Sequence, residues 1–196
     1  MSKRSLILYA SMTGHTEKVA LRFKKVFEKK NWECDMLKID EKTDVKQSAS
    51  LFDCKNYDFI CVGSYVHKSL PSEQIIDVMR NNPQSAHYPK GIGGPAGSSV
   101  QPPVHKKIVL GPENKKGVVF VSFAGHEFGP VEAEPALALL KSEMEHLKLV
   151  CIGRFACPGK FLDITTGYFK DSNDRPHERD LLKAEIFMEE ILEELD

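Results

Sequence analysis

The stretch Leu6-Ile7-Leu8-Tyr9-Ala10 is an apolar run of strand type, and Ser11-Met12-Thr13-Gly14-His15-Thr16 follows it directly. Beyond this turn, Thr16, Val19, Ala20, Phe23, Val26 and Phe27 recur at helical spacing and form one apolar stripe. A buried strand thus passes into an amphipathic helix through a turn that carries three hydroxyl side chains and a glycine. The first N–H groups of a helix have no partner within it, and the dipole is positive at that end, so such a junction suits a phosphate. The turn holds no lysine, which a loop of the form GxxxxGK[ST] needs for a nucleoside triphosphate. Its residues fit a terminal monophosphate held by neutral donors. Those donors are the hydroxyls of Ser11, Thr13 and Thr16 and the backbone N–H groups of Gly14 and His15.

The rest of the 196-residue chain is consistent with one soluble domain, at 41% hydrophobic and 28% charged residues. A net charge of −1 offers no electrostatic footprint for nucleic acid. No apolar run approaches the ~20 residues that span a bilayer. Lys3-Arg4 leads straight into the first strand without a signal-type h-region, so a cytoplasmic location is expected. The five cysteines are odd in number and contain no CxxC pair; we expect core packing rather than disulfides or a metal site.

Four apolar runs, Leu6–Ala10, Tyr57–Gly63, Val118–Ala124 and Leu149–Phe155, are continuous rather than alternating, as in strands covered on both faces. A weaker strand is expected at Glu33–Ile39. A helical stripe runs through Ala133, Leu137, Leu140, Met144 and Leu147, with Pro130 near its start, and a last helix runs from about His177. Shorter helices are expected at Val45–Phe52 and Ser72–Arg80. The alternation of strands and helices specifies an α/β three-layer sandwich around a doubly wound, five-stranded parallel sheet. A Pro/Gly-rich insertion at about 81–116 and a segment from Pro158 to Pro176 interrupt the pattern.

The Ser11–Thr16 turn resembles the phosphate loop of flavodoxins, Ser/Thr-x-Thr-Gly-x-Thr, whose ligand is flavin mononucleotide (FMN). Toward the carboxyl terminus, Gly153–Phe161 and Pro176–Leu181 are similar to segments of a broad group of flavodoxin-like proteins in microbes. The resemblance implies the strand order 2-1-3-4-5, with FMN outside the carboxyl ends of the strands; flavodoxin is itself a standard example of that arrangement. It also implies two further contact loops. Ser64, Tyr65, Val66 and His67 follow the third strand, with Tyr65 stacking on the flavin ring. Phe123, Ala124, Gly125, His126, Phe128 and Gly129 follow the fourth, with Phe128 flanking the ring on its other side. If one polar residue of that loop acts as an acid or base, His126 suits the role better than Glu127.

No GxGxxG, GxSxG or HExxH motif competes with this reading. Three functions are compatible with it. The first is an electron carrier serving redox partner proteins. The second is an FMN-dependent oxidoreductase of quinone-reductase type, with a small-molecule acceptor and the 81–116 segment as lid. The third is a flavin-free interaction module. A homodimer is compatible with each, and neither nucleic acid nor membrane is expected as a partner.

Overall fold

The computed structural model of the chain describes residues 2–45, 52–85, 115–124, 126–160 and 175–195, with the backbone alone at 126–128. Its strands are β1 (Arg4–Ala10), β2 (Glu33–Ile39), β3 (Phe59–His67), β4 (Leu70–Pro71), β5 (Lys116–Phe123) and β6 (Val150–Pro158). Its helices are α1 (His15–Lys29), α2 (Glu73–Asn81), α3 (Glu134–His146) and α4 (Glu178–Glu193). The sheet order is β2-β1-β3-β5-β6, with every neighbouring pair parallel. This is the flavodoxin-like 2-1-3-4-5 order; the numbers differ because a two-residue strand, β4, pairs antiparallel with the end of β3.

Alternation along each central strand explains why the runs are continuous. Leu6, Leu8 and Ala10 join Ile60, Val62, Val119 and Val121 in one core, closed by Ile75 and Met79 of α2 and Leu137 and Leu140 of α3. Ile7 and Tyr9 join Phe59, Cys61, Val118 and Phe120 in a second core, closed by Val19, Phe23 and Phe27 of α1 and Ala184 and Met188 of α4. Each strand side chain therefore finds a covered face whichever way it points. Phe23 lies edge-on to Phe120 at a centroid distance of 4.9 Å, locking α1 onto the middle of the sheet. The edge strand β2 is exposed or half-buried as far as Lys38 and buried only at Ile39, which accounts for its weaker signal.

Three local expectations are corrected. The segment 63–68 is not a loop: β3 continues to His67 and reverses through Lys68 and Ser69, both at positive φ (50° and 63°), into β4. Two positive-φ residues are the signature of a tight hairpin turn whose twist matches the strands. The helix after β5 begins at Glu134 with Pro135 in its first turn, while Pro130 belongs to the preceding 3-10 segment His126–Ala133. The expected strand to Phe155 continues to Pro158. The helix expected at Val45–Phe52, most of the 81–116 insertion, most of the Pro158–Pro176 segment and Gly125 lie outside the described residues. Among the described residues, no helix is long and apolar enough to cross a membrane.

Gly63 is where β3 makes room for the fully buried Phe120, since a Cβ there would overlap the Phe120 ring. Gly63→Ala is expected to lower stability by about 1–3 kcal/mol, the usual cost of overfilling a packed core. Denaturant unfolding checks this, and an unchanged midpoint would show that the ring has room to move.

Candidate functional site

Parallel strands place all their carboxyl ends on one edge, and there a cleft of about 160 Å³ opens. Its walls come from the three segments singled out in the sequence: Met12, Thr13 and His15 after β1; Tyr65, Val66 and His67 at the end of β3; Ser122, Phe123 and Ala124 at the end of β5. A fourth segment, Gly159-Lys160 after β6, completes it. The backbone N–H of Gly159 donates to the Phe123 carbonyl at 2.6 Å, which carries β6 past its last paired residue and brings Lys160 to the cleft. Lys160 was missed in the sequence because it lies 144 positions after Thr16 (160 − 16). The available signal was topological, since the carboxyl end of β6 shares this edge too.

The turn after β1 keeps its helix end open. Gly14 occupies the N-cap position in the left-handed region (φ 83°) with no side-chain cap. A glycine meets that conformation without steric cost. Ser11 is buried, and its hydroxyl accepts the N–H of Glu17 at 3.3 Å. The N–H groups of His15 and Thr16 have no acceptor among the described residues. They are the orphan donors that an anion at this helix end would take.

The hydroxyls are less available than the sequence suggested. Thr16 is fully buried, and its Oγ1 lies 2.7 Å from Ser122 Oγ of β5, pinning the first turn of α1 to the sheet. Ser64 is also fully buried; it donates to the Tyr65 carbonyl and accepts the N–H of Ser72, both at 2.8 Å, which ties β3 to the start of α2. Thr13 is exposed, and its Oγ1 lies 2.9 Å from His15 Nδ1. Of the three threonine and serine hydroxyls in the turn, Thr13 alone is both exposed and on the cleft wall.

Tyr65 is half-buried and lines this cleft and two neighbouring ones. Gly129 has φ 74°, which bends the 3-10 segment after β5. His126 and Phe128 lie in that segment, and the positions of their side chains are outside the described residues.

The charge pattern is one-sided. Among the described residues, His15, His67 and Lys160 line the cleft, and no aspartate or glutamate does. The single carboxylate of the first helical turn, Glu17, is held elsewhere by the Tyr9 hydroxyl at 2.9 Å and Lys38 at 3.0 Å. The Lys38 bond keeps the Glu17 carboxyl below its usual range. Burial, then Lys18 and Lys160, hold the His15 imidazole below its ordinary value.

A flavodoxin-domain family profile matches residues 6–85. Among solved structures, oxidised flavodoxin 1 from Bacillus cereus is similar at a TM-score of 0.60 and 14% identity, covering 99% of this chain and 100% of that one. The flavodoxin-fold WrbA-like protein from Agrobacterium tumefaciens gives a TM-score of 0.59 at 14% identity, covering 98% and 96%. The flavodiiron protein from Giardia intestinalis gives 0.57 at 14% identity; there the similarity covers 97% of this chain and 35% of that one. No curated protein sequence matches the chain.

Thr16→Val is expected to destabilise the fold by about 1–3 kcal/mol, because it leaves the buried Ser122 hydroxyl without its partner. The double change Thr16→Val with Ser122→Ala should restore part of that loss. Chemical denaturation of the three variants measures it, and additive losses would show that the two hydroxyls are not coupled.

Proposed function

We propose that this chain, flavodoxin-like in its fold and over residues 6–85 in its sequence, binds FMN and acts as an electron carrier. The observation that carries the reading is the cleft itself: open helix N–H groups, a half-buried tyrosine, and basic side chains with no carboxylate beside them among the described residues. FMN combines a phosphate with a planar apolar ring, and this donor set has a counterpart for each. The N–H groups of His15 and Thr16, the Thr13 hydroxyl and the Lys160 ammonium are the phosphate donors. Tyr65 offers a flat face for the ring, and the walls beside it, Val66, Phe123 and Ala124, are apolar. When bound, FMN supplies one- or two-electron chemistry, while the protein sets its position and surroundings.

An electron carrier needs an edge at which a partner can dock. Met12, Leu70 and Val131 are 58%, 53% and 67% exposed, and all three follow carboxyl ends of strands on this side of the sheet. Exposed apolar residues there suit transient contact with redox partner proteins. One observation favours the oxidoreductase reading. A groove of about 640 Å³ beside α2 shares Tyr65 and His67 with the cleft, so a small-molecule acceptor seated there would touch the same side chains.

The purified protein is expected to be yellow, or to become so with FMN, and to release FMN rather than FAD on denaturation. A colourless protein that fails to bind FMN at micromolar concentration would overturn the reading. Lys160→Glu should weaken FMN by about tenfold or more, since a hydrogen bond to a charged group contributes about 1.5–3 kcal/mol, while riboflavin is unaffected. Turnover of quinones by reduced nicotinamide cofactors would favour the oxidoreductase over the carrier.

A further inference from the structure

Thr13 and His15 meet at 2.9 Å on the wall of the cleft. The direction of that hydrogen bond decides what Thr13 can offer a ligand. When the imidazole carries its single proton on Nε2, Nδ1 is an acceptor, and the Thr13 hydroxyl must point its proton at the ring. When the ring carries two protons, Nδ1–H donates to Thr13 Oγ1, and the hydroxyl proton is free to turn toward the cleft. From the Nε2–H tautomer, one proton on His15 thereby adds a cation and converts Thr13 from an occupied donor into an available one; a neutral ring protonated on Nδ1 leaves the hydroxyl free from the start.

We infer that His15 rests in the Nε2–H tautomer and forms with Thr13 a proton-operated clamp for the phosphate: His15 takes a proton from solvent as the dianion arrives, and Thr13 turns its hydroxyl to it. The inference rests on the FMN reading above and names the residues that distinguish FMN from riboflavin. The charged groups around His15 support it from each side. Lys18 on α1 and Lys160 beyond β6 act on the ring, and His67 of β3 lines the same cleft. Burial, which includes packing against Gly159, and then Lys18 and Lys160 hold the proton affinity of the imidazole below its ordinary value. Among the described residues no carboxylate lines the cleft to offset them, and Glu17 is engaged by Tyr9 and Lys38. The ligand phosphate is therefore the counter-charge that raises the proton affinity of His15. By linkage, phosphate binding strengthens as pH falls toward the midpoint of the liganded imidazole.

The phosphate of FMN titrates near pH 6 itself, so an overall binding profile mixes two protons, and a site-specific reading is needed. The full chain labelled in its histidines is titrated by NMR between pH 5 and 9, free, with riboflavin and with FMN; the His15 signals are identified by their loss in His15→Gln. The His15 midpoint is expected to rise by about one pH unit or more with FMN, the size an opposite charge in contact produces, and to stay in place with riboflavin. A midpoint that FMN leaves unchanged, while FMN visibly binds, overturns the clamp and leaves the FMN reading standing. Failure of FMN to bind overturns both. As a second measurement, Thr13→Val should cut the preference for FMN over riboflavin by about tenfold, and Thr13→Ser should retain it. Equal preference in all three proteins would show that the Thr13 hydroxyl never turns to the phosphate.

Discussion

Everything at this site depends on one constraint: five long strands run parallel, and the three central ones, β1, β3 and β5, are buried on both faces. Parallel pairing sends every chain crossover to the same pair of edges, so the carboxyl ends of β1, β3, β5 and β6 meet without any pairing among the loops themselves. Burial on both faces then fixes the register, because a slip of one residue would exchange the two cores. Thr16 and Ser122 add a local lock, since their hydrogen bond joins the first turn of α1 to the end of β5. The open helix end is thereby held beside the cleft by the sheet rather than by the turn.

The electrostatics follow from the same arrangement. A helix N-terminus is weakly positive, and Lys160 adds a full charge on the cleft wall, where among the described residues no carboxylate stands. Lys160 reaches the cleft wall from far along the chain because β6 ends on the same edge, so the donor set proposed for the phosphate adds a cation to the neutral donors of the turn. Burial keeps thiols out of the chemistry: Cys157, at the end of β6, is fully buried and pushed up to about 12, which makes it a packing residue.

What the sequence made legible was whatever periodicity or a local motif encodes. The apolar run Leu6–Ala10 and the stripe from Val19 to Phe27 gave β1 and α1, because burial on both faces or on one stripe leaves a direct pattern. The tail segment Pro176–Leu181 also has a local explanation. Asp180 accepts the His177 N–H at 3.0 Å and pairs with Arg175 at 2.6 Å, so it secures the start of α4. The β3–β4 hairpin was hidden because its positive-φ residues are Lys68 and Ser69 rather than the Asn-Gly type that announces such turns. Which hydroxyl faces the cleft was hidden as well. Thr13 and Thr16 look equivalent in the turn, and a partner 106 residues away at Ser122 separates them.

The central claim is that the helix end at Gly14–Thr16 holds the phosphate of FMN. The most direct measurement is the change in backbone amide shifts of the ¹⁵N-labelled protein on adding FMN, compared with riboflavin. The His15 and Thr16 amide protons are expected to move strongly downfield with FMN and little with riboflavin, because only FMN brings a charged acceptor to those two N–H groups. Equal shifts with both ligands, or FMN-specific shifts confined to the groove beside α2, would contradict it.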